Sequence, residues 1–322
     1  MRLGKQRYES KYLAIEHFNT NKGWSISWMC HQLGITRSAF YKWKHRIVPE
    51  QEQLNSEIAE LIKEYDERFS HILGYRRMTD WINHFNHTNY SRKRIHRIMK
   101  KLDIHAVIRK KKKKYKTAKP EESAENKLAR NFYTTAPNKK WVTDVTEFKI
   151  PNSHKKLYLS AILDLYDRYP IAFVISGRND NRLVFKTFDK AIEKNPTAKP
   201  IFHSDRGFQY TNKSFQKKLK DTDMIQSMSR VGHCIDNGPI EGFWGIIKSE
   251  MYQMYDISDE TSLRYAIKDY IRFYSHERPQ SRYDCKTPWE VRNAALTSSK
   301  HPLSYPIAKN NKIEQYKSKW SA

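Results

Sequence analysis

The order of secondary structure after residue 138 constrains the fold of this chain more than any other feature. Segments 141–150, 156–165 and 171–176 are rich in β-branched and aromatic residues and are separated by turns, which indicates three antiparallel strands on short connections. The elements predicted after them are a helix over 182–194, a strand ending at 203, a helix over 214–221, a strand over 225–228, a helix that includes residue 241 and a helix over 263–274. This order predicts an α/β domain over 138–295 with an RNase H-like fold, in which helices flank a mixed five-stranded sheet.

Three acidic residues fall where such a fold brings strand ends and a helix together. Asp144 lies inside the first strand, Asp205 follows an apolar run, and Glu241 stands near the start of a helix. Each has an ordinary explanation by itself: a solvated strand face, an aspartate turn and a capping-box glutamate, respectively. Together they predict a catalytic site, because carboxylate oxygens bind Mg²⁺ and two such ions support phosphodiester chemistry.

The charge of the chain indicates a polyanionic partner. Its 322 residues include 60 Lys and Arg against 35 Asp and Glu, a formal net charge of +25. Double-stranded DNA is the favoured partner, because basic proteins release counterions from its phosphate backbone. An anionic membrane is the alternative, but no apolar run of about 18 residues and no signal-peptide pattern occurs. The 3 cysteines form neither a disulfide framework nor a metal-ligand pair, so we expect a cytoplasmic protein without a membrane partner.

Residues 1–48 have the pattern of a helix-turn-helix. Apolar residues at positions 26, 29, 30 and 33 lie on one helical face, Gly34 then breaks the helix, and Thr36 can cap the next one. That second helix is short and basic and carries Arg37 and Lys42, the predicted DNA contacts. Any small helical hairpin fits the same pattern, and the two interpretations are equally compatible with it.

A second helical unit is predicted over 49–108. Its helices span about 54–69, 75–85 and 92–102, and Ser91 caps the last of them. The basic residues predicted to contact DNA from the outward face of this last helix are Arg92, Lys93, Arg94 and Arg97. Between residues 69 and 119 there are 16 Lys and Arg but only 2 acids, so this charge has one sign. A solvated face normally mixes both signs, and DNA binding is therefore favoured.

Residues 109–137 are predicted to be a basic clamp followed by a linker. Segment 109–119 has 8 basic residues in 11 and no hydrophobic periodicity, so we expect it to be disordered when free and to follow a phosphate backbone when bound. Its predicted DNA contacts are Lys110, Lys111, Lys112, Lys113 and Lys114. The C-terminal tail, 296–322, is polar and indicates no function.

Four sequence motifs resemble those of one enzyme family. They are WVTD at 141–144, HSDRGFQYT at 203–211, DNGPIE at 236–241 followed by FW at 243–244, and YSHERP at 274–279. Together they resemble the DDE transposases of the IS-three insertion-sequence family, which have a retroviral-integrase-type catalytic core. The 35 residues between Asp205 and Glu241 equal the acid spacing of that family. The chain departs from the usual family residues at Arg206 and Gln280, among others, but no departure removes a predicted metal ligand.

The resemblance implies a function and partners. Asp144, Asp205 and Glu241 would bind two Mg²⁺ ions, for which Mn²⁺ can substitute, and Lys248 and Arg278 would contact DNA. The chain would bind the terminal inverted repeats of a bacterial insertion sequence, act on the nucleoid as at least a homodimer, and join them to target DNA. In this family an upstream reading frame commonly supplies a further segment, so the chain is expected to be the downstream-frame product with a possible upstream-frame partner.

Two other functions fit the sequence. One is a catalytically silent DNA-binding regulator, which would bind DNA without metal-dependent cutting, although the intact acidic triad argues against it. The other is an RNase H-like nuclease that hydrolyses DNA but never joins strands. Product analysis distinguishes that nuclease from a transposase.

Overall fold

The computed structural model describes residues 8–108, 125–230, 234–298 and 302–305. The chain divides into two compact units, Met1–Ile82 with Asn89–Ala106, and Asn83–Thr88 with Val107–Ala322. The first unit is helical, and the second contains the sheet. Within the described ranges, every helix is too short or too polar to span a lipid bilayer.

Six helices within residues 8–108 precede the sheet, of which the two predicted over 75–85 and 92–102 have the predicted bounds and the one predicted from about residue 54 begins at Glu50. They are α1 (Glu9–Lys22), α2 (Ile26–Gln32), α3 (Arg37–Lys44), α4 (Glu50–Arg68), α5 (Tyr75–Phe85) and α6 (Arg92–Leu102). Ser25, Thr36 and Ser91 cap α2, α3 and α6, since each side chain accepts a hydrogen bond from a backbone N–H three residues further on. Gly34 ends α2 in the left-handed region, with φ of 63°, where glycine is favoured.

The first three helices share a small core of their own. Its buried side chains are Tyr12, Ile15, Met29, Cys30 and Phe40. The rings of Tyr12 and Trp43 stack across this core at 5.5 Å between centroids. Two of the buried positions, Met29 and Cys30, belong to the helical face predicted from positions 26, 29, 30 and 33. The helical periodicity predicted for this segment is therefore confirmed.

The sheet of the second unit has the strand order β3-β2-β1-β4-β5. The strands are β1 (Lys140–Lys149), β2 (Lys156–Asp164), β3 (Pro170–Ser176), β4 (Ile201–Ser204) and β5 (Ile225–Met228). The first three form an antiparallel meander, and β4 and β5 are parallel to β1. This confirms the predicted mixed five-stranded, RNase H-like sheet.

Helices cover both faces of this sheet. They are α7 (Asn181–Lys194), α8 (Phe208–Thr211), α9 (Lys213–Asp221), α10 (Gly238–Met254), α11 (Glu260–His276) and α12 (Pro288–Thr297). On one face, Trp141 of β1 joins a core cluster with side chains of α7 and α9, including Phe188 and Phe215. Side chains alternate along a strand, so Asp144 and Phe148 point to the other face, where Phe148 lies 6.2 Å from the ring of Tyr252 on α10.

The sequence did not predict α12, which extends into what was interpreted as a polar tail. Thr287 and Glu290 form a capping box at its start, with Pro288 in the first turn. Arg292 of α12 donates hydrogen bonds to two buried carboxylates, Asp164 and Asp167, at 3.2 and 2.9 Å. These partners lie more than 100 residues earlier in the chain, so only the tertiary structure reveals why the helix docks there.

Candidate active site

Asp144 and Asp205 lie next to each other where the pairing of β1 with β4 ends. In the parallel pair of β1 and β4, Val142 lies opposite His203. Asp144 lies two positions after Val142, and Asp205 lies two positions after His203. Both aspartates therefore lie just beyond the last residue pair that joins β1 to β4. The pairing stops there, because β4 ends at Ser204 while β1 continues to Lys149. The carboxyl ends of parallel strands are the usual place for ligand sites in α/β sheets.

The first turns of α10 bring Glu241 to the same place. Asn237, which precedes α10, donates a hydrogen bond from Nδ2 to the backbone oxygen of Thr143 at 3.0 Å. Trp244 donates one from Nε1 to Oδ2 of Asp144 at 2.9 Å. Glu241 lies three residues before Trp244 and therefore shares its helical face. Two hydrogen bonds thus orient the start of α10 toward the aspartate of β1.

The backbone holds Asp205 closely. The N–H of Gly207 donates to Oδ1 of Asp205 at 2.9 Å, so the aspartate turn considered as an alternative explanation is present. A Cβ atom on Gly207 would lie 3.1 Å from that same oxygen and 2.9 Å from Oε1 of Gln209. A larger residue would have to displace them, so glycine keeps this carboxylate in place.

The three carboxylates share one electrostatic environment. Burial, together with the charges of Asp205 and Glu241, raises the pKa of Asp144 to about 7, although hydrogen bonds from Trp244 and Val145 oppose the increase. Burial also raises the pKa of Asp205, against the hydrogen bond from Gly207. The pKa of Glu241 is raised by burial and by the charge of Asp205. Mutual repulsion of this kind favours a bound cation.

The donor set fits a divalent ion that completes its coordination from outside the protein. Within the described part of the chain, no group of three or more His, Cys, Asp or Glu side chains is close enough together to hold a metal ion by itself, and this includes Asp144, Asp205 and Glu241. Mg²⁺ seldom requires such a group, since it usually takes one or two carboxylates and fills its other positions with water and substrate phosphates. The separate carboxylates of β1, β4 and α10 match this pattern.

The ammonium group of Lys248 lies 5.4 Å from the centre of the Phe148 ring, two helical turns beyond Glu241 on α10. The side chain is half-buried. This position beside the acids is compatible with the predicted DNA contact.

Arg278 has a different environment from the one that the prediction requires. It is 6% exposed, and its guanidinium donates to both carboxylate oxygens of Glu250, at 2.9 and 2.8 Å. Glu250 also accepts a hydrogen bond from the hydroxyl of Tyr270 at 2.7 Å. A residue buried in such an ion pair is not available to a phosphate, so we correct its role to one that connects α10 with the end of α11.

Asp236, the first residue of the motif at 236–241, is the centre of a buried ion-pair network. Its carboxylate accepts hydrogen bonds from Arg130, Arg230 and Asn126. Burial would raise its pKa, but the hydrogen bonds from Arg230 and Arg130 outweigh this effect and hold the pKa at about 2. The network fixes the segment that precedes β1 to the chain just before α10.

The predicted DNA contacts of the helical units and of the basic clamp fall into three groups. Exposed side chains are Arg37, Lys42, Lys93 and Arg97. Two other side chains form contacts within the unit, since Arg92 pairs with Asp80 at 3.0 Å and Nε of Arg94 donates to Asn55 at 3.0 Å. For these two, the structure indicates a role in holding α6 against α5 and α4. Lys110, Lys111, Lys112, Lys113 and Lys114 lie outside the described residues.

Sequence reasoning missed Trp244 and Asn237, which orient the site, and left Arg206 and Gln280 without a role. Arg206, directly after Asp205, donates from Nε to the backbone oxygen of Ser229 at 2.8 Å. Gln280 forms a bridge with Lys286 beyond α11. The spacing of three between Glu241 and Trp244 was the available signal, since it places both residues on one helical face.

The fold and the position of the acids define an RNase H-like integrase core preceded by helical units. The family model "Integrase core domain" matches residues 134–234, and a second model of that description matches 222–288. The model "HTH-like domain" matches 53–112, which corresponds to the second predicted helical unit.

Similar proteins identify the family. The putative transposase InsK for insertion sequence element IS150 of Escherichia coli K12 is 37% identical over 264 residues, covering 80% of this chain and 90% of the relative. The insertion element IS600 31 kDa protein of Shigella sonnei is 30% identical over 79% of this chain and 93% of that protein. The HTLV-2 integrase catalytic core domain, solved in complex with magnesium, covers 49% of this chain and 97% of its own, with 22% identity and a TM-score of 0.38. The chain belongs to the IS-three family of insertion-sequence transposases, as its motifs predicted.

Proposed function

We propose that this transposase binds the terminal inverted repeats of its insertion sequence and catalyses Mg²⁺-dependent cleavage and strand transfer. One observation carries the proposal: the parallel register of β1 and β4 sets Asp144 beside Asp205, and α10 turns Glu241 toward them. Three carboxylates from separate elements at one sheet edge suit phosphodiester chemistry better than a structural role.

Asp144, Asp205 and Glu241 are the proposed ligands of two Mg²⁺ ions, for which Mn²⁺ can substitute. When bound, such ions stabilise charge on phosphoryl oxygens and favour deprotonation of an attacking hydroxyl or water. The protein contributes the fixed positions of the carboxylates, because the N–H groups of Trp244, Val145 and Gly207 each donate to one of their oxygens.

Two reactions would occur at this site. In cleavage, a water oxygen bonds to phosphorus at the element end, the bond to the 3′ oxygen breaks, and that oxygen gains a proton. In strand transfer, the freed 3′-hydroxyl oxygen bonds to a second phosphorus, loses its proton, and displaces another 3′ oxygen, which gains one. The number of phosphodiester bonds is unchanged in the second reaction, so no energy source is needed.

The helical units would deliver the DNA end. We assign recognition of the inverted repeat to 1–48 and 49–108, phosphate binding to the basic clamp within 109–137, and catalysis to 138–295. Two ends must be held together before joining, so we expect at least a homodimer on DNA, with a possible upstream-frame partner protein. The excess of positive charge before the sheet supports the assignment of DNA binding to this part of the chain, since residues 69–119 contain 16 basic residues and only 2 acids.

The experiment compares end cleavage and strand transfer by the full chain in Mg²⁺, using a duplex from the end of the element that encodes it. Asp205→Asn and Glu241→Gln should each abolish both products, whereas Glu193→Gln, an exposed glutamate on α7, should retain them. Activity in either active-site variant would contradict the metal-ligand assignment. Hydrolysis without joining by the wild type would favour a nuclease, and binding without cutting would favour a silent regulator.

A further inference from the structure

Strand β4 is supported to different lengths by its two neighbours. Against β1 its pairing ends at His203, whereas against β5 it continues to Ser204. The backbone N–H of Ser229 then donates to the oxygen of Ser204 at 2.9 Å and extends the contact with β5 beyond the last paired residues. Asp205 follows Ser204 directly, so the backbone support of this carboxylate continues on the side of β5.

Ser229 contacts the chain on both sides of Asp205. Its N–H donates to Ser204, the residue before the aspartate. Its backbone oxygen accepts a hydrogen bond at 2.8 Å from Nε of Arg206, the residue after the aspartate. Its hydroxyl lies 3.2 Å from Nε2 of His203. One serine, 5% exposed, therefore holds three residues around the carboxylate through its N–H, its backbone oxygen and its hydroxyl.

The ring of His203 lies between two hydroxyl groups. Its Nδ1 is 2.9 Å from the hydroxyl of Ser227, its Nε2 is 3.2 Å from that of Ser229, and the whole residue is buried. A hydroxyl can donate or accept a hydrogen bond, so two of them satisfy both nitrogens of a neutral ring. The ring thus ties β4 to β5 and to the residue after it, two positions before Asp205.

Ser229 is itself held in place by its neighbours in the chain. Two residues earlier, the hydroxyl of Ser227 accepts a hydrogen bond from the N–H of Leu128 at 2.9 Å. One residue later, the N–H and Nε of Arg230 both donate to Oδ2 of Asp236 at 3.0 Å. These partners belong to the segments that precede β1 and α10. Ser229 is therefore a fixed point against which the neighbouring carboxylate can be oriented.

We propose that Ser229 and Arg206 are positioning residues of this active site, whose contacts hold the backbone on both sides of Asp205 before a divalent ion binds. The inference rests on the proposed function and deepens it, since it names two residues outside the acidic triad on which ion binding depends. Removal of contacts that orient a metal ligand typically reduces metal affinity or activity by about 10- to 100-fold. Arg206, where the chain departs from the usual family residue, acquires a role in this way.

The first test removes the side-chain contact of Arg206. The full chain is titrated with Mn²⁺ in the absence of DNA, and the electron paramagnetic resonance signal of free Mn²⁺ measures binding. Arg206→Met should weaken Mn²⁺ binding by about tenfold. Loss of a positive charge beside the acids would by itself strengthen the binding of a cation, so weaker binding identifies the lost hydrogen bond as the cause.

Arg264→Met is the matched control for this variant. Arg264 is also half-buried and also donates to a backbone oxygen, that of Ile175 on β3, the edge strand opposite β5. Its replacement should leave Mn²⁺ affinity at the wild-type value. Wild-type Mn²⁺ affinity in Arg206→Met, even if DNA binding becomes weaker, would overturn the positioning role of Arg206.

The second test removes the hydroxyl of Ser229. Ser229→Ala keeps the backbone contacts but leaves one nitrogen of the buried His203 ring without its partner, so Mn²⁺ binding should weaken and end cleavage should slow by about tenfold. Ser275→Ala is the control, because this serine is 3% exposed and its hydroxyl donates to the backbone oxygen of Ile271 on α11. It should change neither quantity. A lower thermal unfolding midpoint of Ser229→Ala with wild-type Mn²⁺ affinity would show that the hydroxyl only stabilises the fold, which contradicts the proposal.

Asp205→Asn separates the positioning role from the proposed function. If the wild type binds Mn²⁺ more tightly than Asp205→Asn and cleaves element ends, while Arg206→Met and Ser229→Ala behave as the wild type, the positioning role is wrong and the proposed function stands. If the wild type neither binds Mn²⁺ more tightly than Asp205→Asn nor cleaves, the proposed function itself fails.

Discussion

At the residue scale, the indole of Trp244 determines where one oxygen of the Asp144 carboxylate points. Trp244 donates to Oδ2 at 2.9 Å, and the N–H of Val145 donates to Oδ1 at 2.8 Å. Both oxygens are therefore oriented before any ion binds. The remaining lone pairs of this carboxylate are the ones that a bound ion could use.

Trp244→Phe should retain the fold and lose activity. The ring is kept, but removal of the N–H leaves an acceptor unpaired at a cost of about 1–3 kcal/mol, equivalent to about 5- to 150-fold in rate. End cleavage should fall within that range, and the Mn²⁺ concentration that gives half-maximal thermal stabilisation should rise. Trp289→Phe, which alters a 40% exposed indole, should change neither quantity. Wild-type values for both measurements in Trp244→Phe would show that other contacts position Asp144.

Asp236 should make the stability of the second unit depend on pH. Its folded pKa of about 2 lies below the ordinary value of 3.8 for an aspartate, so its stabilising effect is fully present above pH 3.8 and is lost as the pH falls through about 2. A difference of roughly two pKa units corresponds to about 2–3 kcal/mol. The difference in unfolding free energy between the wild type and Asp236→Asn, measured by urea titration, should shrink by about this amount between pH 5 and pH 2. A constant difference over that interval would contradict the ion-pair assignment.

At the element scale, most helices and strands could be predicted from local sequence patterns, whereas the contacts of individual side chains could not. Helix α6 begins directly after the predicted cap Ser91. The antiparallel meander was predicted from three segments rich in β-branched and aromatic residues. Helix α12 was missed because its capping box lies within a polar stretch, and its ion pairs join it to residues far back in the chain. The buried state of Arg278 depends on Glu250, 28 residues away, so a motif resemblance alone favoured the wrong role.

The Arg278–Glu250 pair should hold α10 and α11 together. Removal of one partner from a buried pair leaves an uncompensated charge and typically costs about 3–5 kcal/mol. Arg278→Met should therefore lower the unfolding free energy of the second unit by this amount, while the double variant Glu250→Leu/Arg278→Met should recover much of the loss. Urea denaturation of both variants measures the effect. If Arg278→Met is as stable as the wild type but binds DNA ends more weakly, the original prediction of a DNA contact is correct.

At the scale of the whole molecule, the basic face of α6 and the three acids proposed to be catalytic belong to different units. The exposed residues Lys93, His96, Arg97 and Lys100 follow the i, i+3, i+4, i+7 spacing and form one face of α6, while its opposite face packs with Ile95, Ile98 and Met99. The acids lie in the second unit, on β1, directly after β4 and on α10. The proposed function therefore assigns DNA recognition by α6 and chemistry to separate units of one protein, and it predicts that each can be altered without the other.

That separation predicts how DNA affinity depends on salt. If α6 contacts phosphates, Lys93→Gln/Arg97→Gln should reduce the slope of log Kd against log salt concentration by about 1.8, since each lost phosphate contact on B-form DNA accounts for about 0.9. Fluorescence anisotropy with an element-end duplex measures this slope. The control Lys190→Gln/Lys220→Gln removes the same charge from exposed lysines of α7 and α9 and should change the slope less. Equal changes in both double variants would show that net charge alone, rather than the exposed face of α6, determines binding.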